Sequence, residues 1–200
     1  MSNYIFAPSP NFGISEHPFA SWDGGLAQEE AVRLIAAGEK RVPKPATVDD
    51  NKNPEACVRV SQTAWLANED DTLWIYDRLA FIARQLNWQF YQFDLHGFCE
   101  DFQYTVYHGV EEGGGHYSWH QDCGGKTIAP RKLSIVMQLS DPAEYEGGEL
   151  QIMSGAEPLV VDKAMGKTVV FPSYMLHRVT PVTKGVRRSL VAWITGPSFK

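Results

Sequence analysis

Apolar residues recur at helical spacing in two stretches of the first half of the chain. In the first stretch, LAQEEAVRLIAAGEK, the residues Ala31, Leu34 and Ile35 fall near one helical face, and two glutamates occupy the first turn, where acidic residues stabilise a helix. Gly38 follows at a point where a helix would stop. The pattern predicts a helix over about 27–37.

The second stretch, NEDDTLWIYDRLAFIARQLN, carries a longer pattern. It opens with the capping candidates Asn68, Asp70 and Asp71, whose side chains can accept hydrogen bonds from free N–H groups at the start of a helix. Apolar residues then follow at helical intervals: Leu73, Tyr76, Leu79, Ala80, Ala83 and Leu86. We therefore expect a helix that begins after the acidic residues and continues through Leu86.

The segment between these helices, GEKRVPKPATVDDNKNPEA, contains three prolines, mixed charges and no apolar period. It predicts a long connector over about 38–60. Long loops in compact domains are either solvated connectors or functional lids, and the sequence leaves both interpretations open. As a lid, the part from Lys40 to Glu55, with Arg41 and Lys44 near its start, would close over an extended peptide.

From Phe90 onward, short runs of β-branched and aromatic residues replace the helical pattern. Seven runs are separated by Gly, Pro and Asp signals: FQYTVYHG, KLSIVMQLS, GELQIM, PLVVD, KTVVFP, HRVTPV and RRSLVAWI. They predict a β-sandwich or jelly roll, with the two helices covering one sheet. We expect an α+β fold that is mainly β, in a single domain over residues 1–200. Residues 1–89 would supply helical support and a variable loop, and 90–197 would form the jelly-roll core.

Composition narrows the classes of partner. The net charge of -6 argues against nucleic-acid and anionic-membrane partners, which need a basic surface. Three cysteines without a CxxC pair indicate neither a disulfide framework nor a zinc ribbon. The sequence shows neither a leader pattern nor a run of about 18 apolar residues. We expect a soluble cytoplasmic protein, a monomer or weak dimer, with a small or neutral partner.

Candidate metal ligands lie in the stretch HYSWHQDCGG. Side chains two apart on a strand share a face, so His120 and Asp122 can converge on one cation while Trp119 and Gln121 point the other way. Two ligands make a weak site, and a third must come from a distant strand. His177, in FPSYMLHRVTPV, is the natural candidate.

Two histidines and one carboxylate leave three coordination positions open, as non-heme Fe(II) oxygenases require, whereas four protein ligands would make a closed structural site. His108 and His116 are left out of the set because three glycines, Gly113 to Gly115, are expected to bend the chain before His116. Cys123 is left out because its opposite parity points it away from the face of Asp122.

A basic residue beyond His177 indicates the kind of ligand. Arg187 and Ser189 share a face on a strand that the turn signal VTKG would join to the strand of His177. An inward guanidinium is costly unless it meets an anion, and it matches a carboxylate in a bidentate manner. The pattern therefore predicts a small ligand that carries a carboxylate. Arg188, of opposite parity, should face outward or toward another element.

The C-terminal half, about residues 100–197, resembles the Fe(II)- and 2-oxoglutarate-dependent oxygenases of the prolyl 4-hydroxylase type, and most closely the bacterial and phage hydroxylases called PKHD-type. Three segments carry the resemblance, in the same order and at the same intervals: VYHGVEEGGGHYSWHQD, LSDPAEYEGGELQI and GKTVVFPSYMLHRVTPVTKGVRRSLVAW. The first 100 residues match only loosely, and no functional residue is carried over from them. The resemblance implies a double-stranded β-helix, which is a jelly roll.

The resemblance also implies roles for individual residues. His120, Asp122 and His177 would bind the iron, and Arg187, with Ser189 beside it, would hold the distal carboxylate of 2-oxoglutarate. The remaining candidates are Tyr107 and Tyr117, which either line the co-substrate or substrate pocket or pack in the core, and Arg131 and Trp119 near the substrate mouth. One position departs from the pattern. Many relatives have a tyrosine or another large residue where this chain has Gln138, so the support for the co-substrate carboxylate would differ.

The implied activity is hydroxylation of an unactivated C–H bond, most simply of a peptidyl proline, with release of succinate and CO2. Its cofactors would be Fe(II), 2-oxoglutarate and O2, with ascorbate as a candidate reductant. Related halogenases lack the carboxylate ligand, so Asp122 favours hydroxylation. Four alternatives stay open: a non-prolyl residue as the target, a small-molecule substrate, a zinc or nickel enzyme of the cupin type, and a noncatalytic jelly-roll module that binds metal.

Overall fold

The computed structural model describes residues 17–46, 58–124, 128 and 130–199. Within these residues the chain forms two α-helices, α1 (Gln28–Lys40) and α2 (Leu73–Leu86), and a π-helical turn, Asn87–Tyr91, follows α2. The strands are β1 (Ala20–Trp22), β2 (Lys44–Pro45), β3 (Arg59–Val60), β4 (Gln62–Leu66), β5 (Gly97–Phe98), β6 (Phe102–His108), β7 (His116–His120), β8 (Arg131–Gln138), β9 (Tyr145–Gly147), β10 (Leu150–Met153), β11 (Pro158–Val160), β12 (Thr168–Pro172), β13 (His177–Val179) and β14 (Val182–Thr195).

Helix α1 is longer than the pattern predicts, and Gly38 lies inside it. A Cβ atom on Gly38 would lie 2.4 Å from Cγ of Tyr104, so the missing side chain lets the helix approach the ring of Tyr104. The prediction that the helix ends near residue 37 is therefore wrong, because this glycine serves close packing and not helix termination.

Helix α2 begins after Thr72, which is its N-cap, and not at one of the acidic capping candidates. Its buried residues are Ile75, Tyr76, Leu79, Ile82, Ala83 and Leu86. Leu73, the first residue of the apolar pattern, is 46% exposed. Leu73 and Ala80 are two helical turns apart and lie on the same edge of the apolar stripe. Burial is shifted to the opposite edge, toward Ile75 and Ile82.

The strands form two antiparallel sheets. The larger sheet has nine strands in the order β1-β12-β8-β14-β6-β4-β2, and β5 and β9 pair with the two ends of β14. The smaller sheet has five strands in the order β11-β10-β13-β7-β3. The expectation of a mainly β protein with two helices is thus confirmed.

Side chains on three neighbouring strands of the larger sheet alternate strictly between its two faces. One face packs in the main apolar core, and the other faces the space between the two sheets. One set of residues joins α1 and α2 in the main apolar cluster: Phe102, Tyr104 and Val106 on β6, Leu133, Ile135 and Met137 on β8, and Leu190, Ala192 and Ile194 on β14. The intervening residues face the other way, and they include Arg187, Ser189 and Gln138. The three strands therefore carry polar side chains on the face away from the helices.

The connection from His177 to Arg187 differs from the prediction. The VTKG segment is not a turn: it is the beginning of β14, where it pairs with β9. The chain changes sheets earlier, between Val179 and Val182. His177 consequently lies on the smaller sheet and Arg187 on the larger one, so that a space between the sheets receives both side chains.

The two ends of the expected connector over 38–60 are strands. Strand β2 pairs with β4, and β3 pairs with β7. Residues 47–57 lie outside the described residues, so the interpretation of this segment as a lid stays a prediction. In the part of the chain that the structure describes, no helix is long and apolar enough to cross a membrane.

Candidate active site

Three metal-ligand side chains converge between the sheets. His120 ends β7, His177 begins β13, and the two residues are register partners in this antiparallel pair. Asp122 follows two residues after β7. Its Oδ2 atom lies 3.5 Å from Nε2 of His177, and its Oδ1 atom lies 3.8 Å from Nε2 of His120. One ligand atom from each residue lies within 4.8 Å of the other two, as binding of a single ion requires.

Backbone carbonyls fix the orientation of both imidazoles. Nδ1 of His120 lies 2.7 Å from the carbonyl oxygen of Ser118, and Nδ1 of His177 lies 2.9 Å from that of Met175. Because a carbonyl oxygen only accepts, each ring carries its proton on Nδ1 and leaves the lone pair on Nε2. Both lone pairs are thereby available on the side where Asp122 lies.

The protonation states also suit a cation. Burial, followed by the charge of His177, lowers the pKa of His120 to about 4. Burial alone would raise the pKa of Asp122, but the charges of the two histidines and the hydrogen bond that Ser134 Oγ donates over 2.6 Å outweigh it and hold the pKa below its ordinary value. Near neutral pH, His120 is therefore neutral and Asp122 is a carboxylate, which fits a divalent metal ion.

Aromatic rings flank the two imidazoles. The Tyr117 ring stacks on His120, with ring centroids 3.5 Å apart and planes 16° apart. Phe171 meets His177 edge-on at 4.7 Å. Burial raises the pKa of Tyr117, so its hydroxyl stays protonated. These rings restrict the rotation of the histidines and keep the metal-ligand cluster in an apolar environment.

Arg187 is the largest fully buried side chain, with 1% of its surface exposed. Its Nη2 donates to Oε1 of Gln138 over 3.0 Å, and its Nη1 donates to Oγ of Ser189 over 3.3 Å. The guanidinium also lies 5.2 Å from the centre of the Tyr107 ring. Among the described residues, Arg187 forms no ion pair with a carboxylate. A buried cation with neutral partners alone favours an anion supplied from outside the chain.

A cavity of about 520 Å³ connects the metal-ligand cluster with Arg187. This volume suits a small organic ligand. Its lining includes these residues that the sequence singled out: His120, Asp122, His177, Arg187, Ser189, Tyr107, Tyr117 and Arg131. Gln138 contacts Arg187 from behind this lining. Hence the structure brings nearly all of the predicted site residues together.

Trp119 follows the parity prediction but not its assignment to the substrate mouth, and Gln121 differs from the parity prediction. The structure does not bring Trp119 to the cavity, because its position on β7 faces away from His120 and its ring lies against Arg178, 4.6 Å from the guanidinium carbon. Gln121, predicted to point away as well, lines the cavity. Strand β7 ends at His120, so alternation no longer governs the next residue.

The excluded histidines and Cys123 lie outside the metal-ligand cluster. Nδ1 of His108 lies 2.9 Å from Oε2 of Glu112. Nδ1 of His116 lies 2.9 Å from the carbonyl oxygen of Gly114. Gly113 and Gly114 both have positive φ, +107° and +64°, so the glycines bend the chain before β7 as expected.

Sequence reasoning missed three cavity residues in the first hundred: Arg59, Trp65 and Glu100. The guanidinium of Arg59 lies 4.7 Å from the centre of the Tyr117 ring and its Nε donates to Ser61 Oγ, while its Nη2 is buried without a hydrogen-bond partner among the described residues. The alternating stretch VRVSQTAWL was the available signal, because Arg59 and Trp65 share its parity.

Arg131 is already paired at the mouth of the cavity. It donates from Nε and Nη2 to the two carboxylate oxygens of Glu100. Its guanidinium carbon also lies 3.8 Å from the centre of the Trp193 ring, and Trp65 lies beside that ring at 6.3 Å. The mouth thus combines a neutralised ion pair with two indoles.

Comparison with known proteins shows which class of protein this chain is similar to. Residues 102–195 match the family model described as the 2OG-Fe(II) oxygenase superfamily. This stretch contains the metal-ligand cluster, Arg187 and most of the cavity lining. The match confirms the resemblance that the three sequence segments carry.

The curated relatives that this chain resembles are named PKHD-type hydroxylases. One from Synechococcus sp. (strain CC9311) is 35% identical over 101 residues, which are 49% of this chain and 45% of the relative. Another, from Cupriavidus metallidurans, is 45% identical over 85 residues, which are 39% of this chain and 37% of the relative. The chain spans less than half the length of these curated relatives.

Solved structures show the same fold over most of the chain. A Pseudomonas putida prolyl-4-hydroxylase matches with a TM-score of 0.70 and 21% identity, over 91% of this chain and 94% of that chain. A Trichoplax adhaerens prolyl hydroxylase in complex with a peptide fragment of hypoxia inducible factor matches with a TM-score of 0.73 and 14% identity, over 89% and 83%. The fold of the described residues is therefore similar to that of these prolyl hydroxylases.

Proposed function

We propose that this protein is an Fe(II)- and 2-oxoglutarate-dependent dioxygenase that hydroxylates an unactivated C–H bond and releases succinate and CO2. The observation that carries the proposal is the position of Arg187, a fully buried cation without a carboxylate partner among the described residues, in the same cavity as the His120, Asp122 and His177 cluster. We also propose that the two sheets form a double-stranded β-helix, with 90–197 as the catalytic core and 1–89 as its support in one domain.

Iron would be held by Nε2 of His120, Nε2 of His177 and the carboxylate of Asp122. When bound there, Fe(II) supplies the activation of O2 that C–H hydroxylation needs, with ascorbate as a reductant that maintains the ferrous state. The protein contributes orientation: the carbonyls of Ser118 and Met175 hold the imidazoles, and Ser134 holds the carboxylate.

The co-substrate carboxylate that is distant from the metal would meet Arg187 and Ser189. Arg187 offers planar N–H donors that match a carboxylate, and its burial strengthens that interaction. Apolar side chains from both sheets complete the lining, among them Val136, Leu150 and Val191, and they exclude water from the reacting groups.

The proposed substrate is a peptidyl proline. The names of the relatives and structural neighbours support this class, and so does the mouth of the cavity. Trp65 and Trp193 offer flat apolar faces for a proline ring, and Arg131 is neutralised by Glu100. Nη2 of Arg59 is a buried donor that suits a peptide carbonyl. A non-prolyl side chain and a small molecule are the second candidates.

The rival functions explain less of the cavity. A zinc or nickel enzyme of the cupin type would use the same three ligands but has no need for the buried cation at Arg187. A noncatalytic module that binds metal would use the cluster but has no need for Arg187, whereas here the cluster and Arg187 both line one cavity.

An anaerobic titration with Fe(II) and 2-oxoglutarate tests the proposal, with the visible iron-to-ligand charge-transfer band as the readout. The band should form with the native protein and weaken sharply in Arg187→Ala. Arg188→Ala is the matched control, because Arg188 lies on the opposite face of β14 and pairs with Glu39. Bound iron without any band in the native protein would refute the proposal.

A further inference from the structure

Gln138 is an immediate neighbour of the buried cation, Arg187. It lies opposite Ser189 in the β8–β14 pair, and 1% of its surface is exposed. A guanidinium only donates hydrogen bonds, so the contact of 3.0 Å with Arg187 Nη2 forces the amide oxygen of Gln138 toward Arg187. The orientation of this amide is therefore fixed by chemistry.

The contact holds Arg187 without neutralising it. An amide oxygen accepts a hydrogen bond but carries no net charge, unlike the carboxylates that pair with Arg131, Arg78 and Arg188 elsewhere in the protein. Arg187 Nε and Gln138 Nε2 are both buried and have no hydrogen-bond partner among the described residues. The pair thus keeps a full positive charge on Arg187, which lines the cavity.

From this arrangement we infer that Gln138 is a positioning residue that selects a dicarboxylate co-substrate through Arg187. It fixes the guanidinium at the end of the cavity distant from the metal-ligand cluster and leaves its charge for a second carboxylate of the ligand. The inference rests on the proposed function, because it assigns the ligand of Arg187 to the co-substrate of that reaction.

The sharpest variant is Gln138→Glu, which keeps the shape of the side chain but places a carboxylate beside Arg187. The two would form an internal ion pair, so a dicarboxylate would lose both the charge of Arg187 and a donor. We expect the affinity for 2-oxoglutarate to fall by at least about tenfold, since hydrogen bonds to charged groups are worth at least that factor. Pyruvate, which has the keto acid but no second carboxylate, should bind the variant as it binds the native protein.

The matched control is Gln151→Glu. Gln151 accepts a hydrogen bond from Nε of Arg178 over 2.8 Å, so the substitution also places a carboxylate beside an arginine, although it removes the hydrogen bond that Gln151 donates to Glu149. Gln151 and Arg178 lie outside the cavity lining. The control should therefore bind 2-oxoglutarate with the affinity of the native protein.

The experiment is an anaerobic titration of the Fe(II) protein with 2-oxoglutarate and with pyruvate, followed by the charge-transfer band and by thermal unfolding. Gln138→Met removes the hydrogen bond but adds no charge, so its loss of affinity for 2-oxoglutarate should be intermediate. This variant decides the question if the glutamate variant does not fold. Unchanged selectivity for 2-oxoglutarate over pyruvate in both variants overturns the inference. If the native protein does not prefer 2-oxoglutarate over pyruvate, the inference and the proposed function both fail. If the native protein has this preference and the variants keep it unchanged, the proposed function stands and the inference alone fails.

Discussion

His120 and His177 lie directly opposite each other in the antiparallel pair of β7 and β13, with ring centroids 4.1 Å apart. A single pair of adjacent strands therefore supplies both imidazoles. The residues after β7 and before β13 position the third ligand: Asp122 N donates to the carbonyl oxygen of Ser173 over 2.9 Å, which brings the carboxylate beside both rings.

Removal of the carboxylate should abolish the reaction. We expect Asp122→Ala to reduce both Mn(II) affinity and succinate formation by at least about 100-fold, because even the partners that orient metal ligands contribute 10- to 100-fold. Asp70→Ala, an exposed position, is the control. Isothermal titration and a succinate assay measure the two effects. Succinate formation at the native rate would remove Asp122 from the ligand set.

The Ser134 hydroxyl, which orients the Asp122 carboxylate, should contribute less to metal affinity than the carboxylate itself. Ser134→Ala removes the hydrogen bond of 2.6 Å to Asp122 Oδ2, and we expect Mn(II) affinity to fall by about tenfold. Ser140→Ala is a suitable control, because Ser140 is also buried but bonds to Val186 and Arg188 outside the cluster. Equal Mn(II) affinities in the two variants would show that Ser134 has no role in metal binding.

Arg59 should contribute to binding of the peptide and not to binding of the co-substrate. With poly(L-proline) as the probe, Arg59→Met should raise the KM for peptide by about tenfold, the cost of one hydrogen bond from a charged donor, and leave the KM for 2-oxoglutarate unchanged. Arg33→Met, on α1 beside Trp74, is the control. If the polymer fails to stimulate succinate formation in the native protein, the assignment of a peptidyl-proline substrate is wrong.

The packing of α1 leads to a prediction about stability. Alanine is favoured over glycine in a helix interior by about 1 kcal/mol. In Gly38→Ala, however, the new Cβ atom would meet the Tyr104 ring at 2.4 Å, and overpacking of this kind costs about 1–3 kcal/mol. We expect the steric cost to exceed the helical gain and the free energy of unfolding to decrease. A denaturant titration measures the change, and a more stable variant would contradict the packing argument.

An ion pair between the helices should contribute to stability only above acidic pH. The hydrogen bond from Arg78, supported by that from the Ala27 N–H, lowers the pKa of Glu30 in the folded protein. A lowered folded pKa stabilises the protein above the unfolded pKa, and this contribution is lost as pH falls through the folded value. Because the pair is partly exposed, Glu30→Gln should cost at most about 1 kcal/mol at pH 7. Thermal unfolding at pH 7 and pH 3 should show the difference between the proteins disappear at the lower pH.

The sequence predicted those parts of the site that depend on alternation along one strand. His120 with Asp122 and Arg187 with Ser189 follow from side-chain parity, and the family resemblance added their roles. Gln121 shows the limit of the method, since alternation does not extend past the strand end at His120.

Contacts between distant segments were harder to predict. Arg59 reaches the cavity only because β3 pairs with β7, and the intervening connector gave no periodic signal for that pairing. Gly38 was interpreted locally as a helix end, although its role is set by Tyr104 on another element. Tertiary contacts of this kind are invisible to a local pattern.

Strand β14 carries two incompatible sets of side chains in one unbroken register from Val186 to Ile194. Its odd positions supply the cavity and its even positions supply the apolar core beneath the helices. Insertion or deletion of a single residue here would exchange the two sets downstream of the change. Between Val186 and Ile194, this strand can therefore change by substitution during evolution, but its length is constrained.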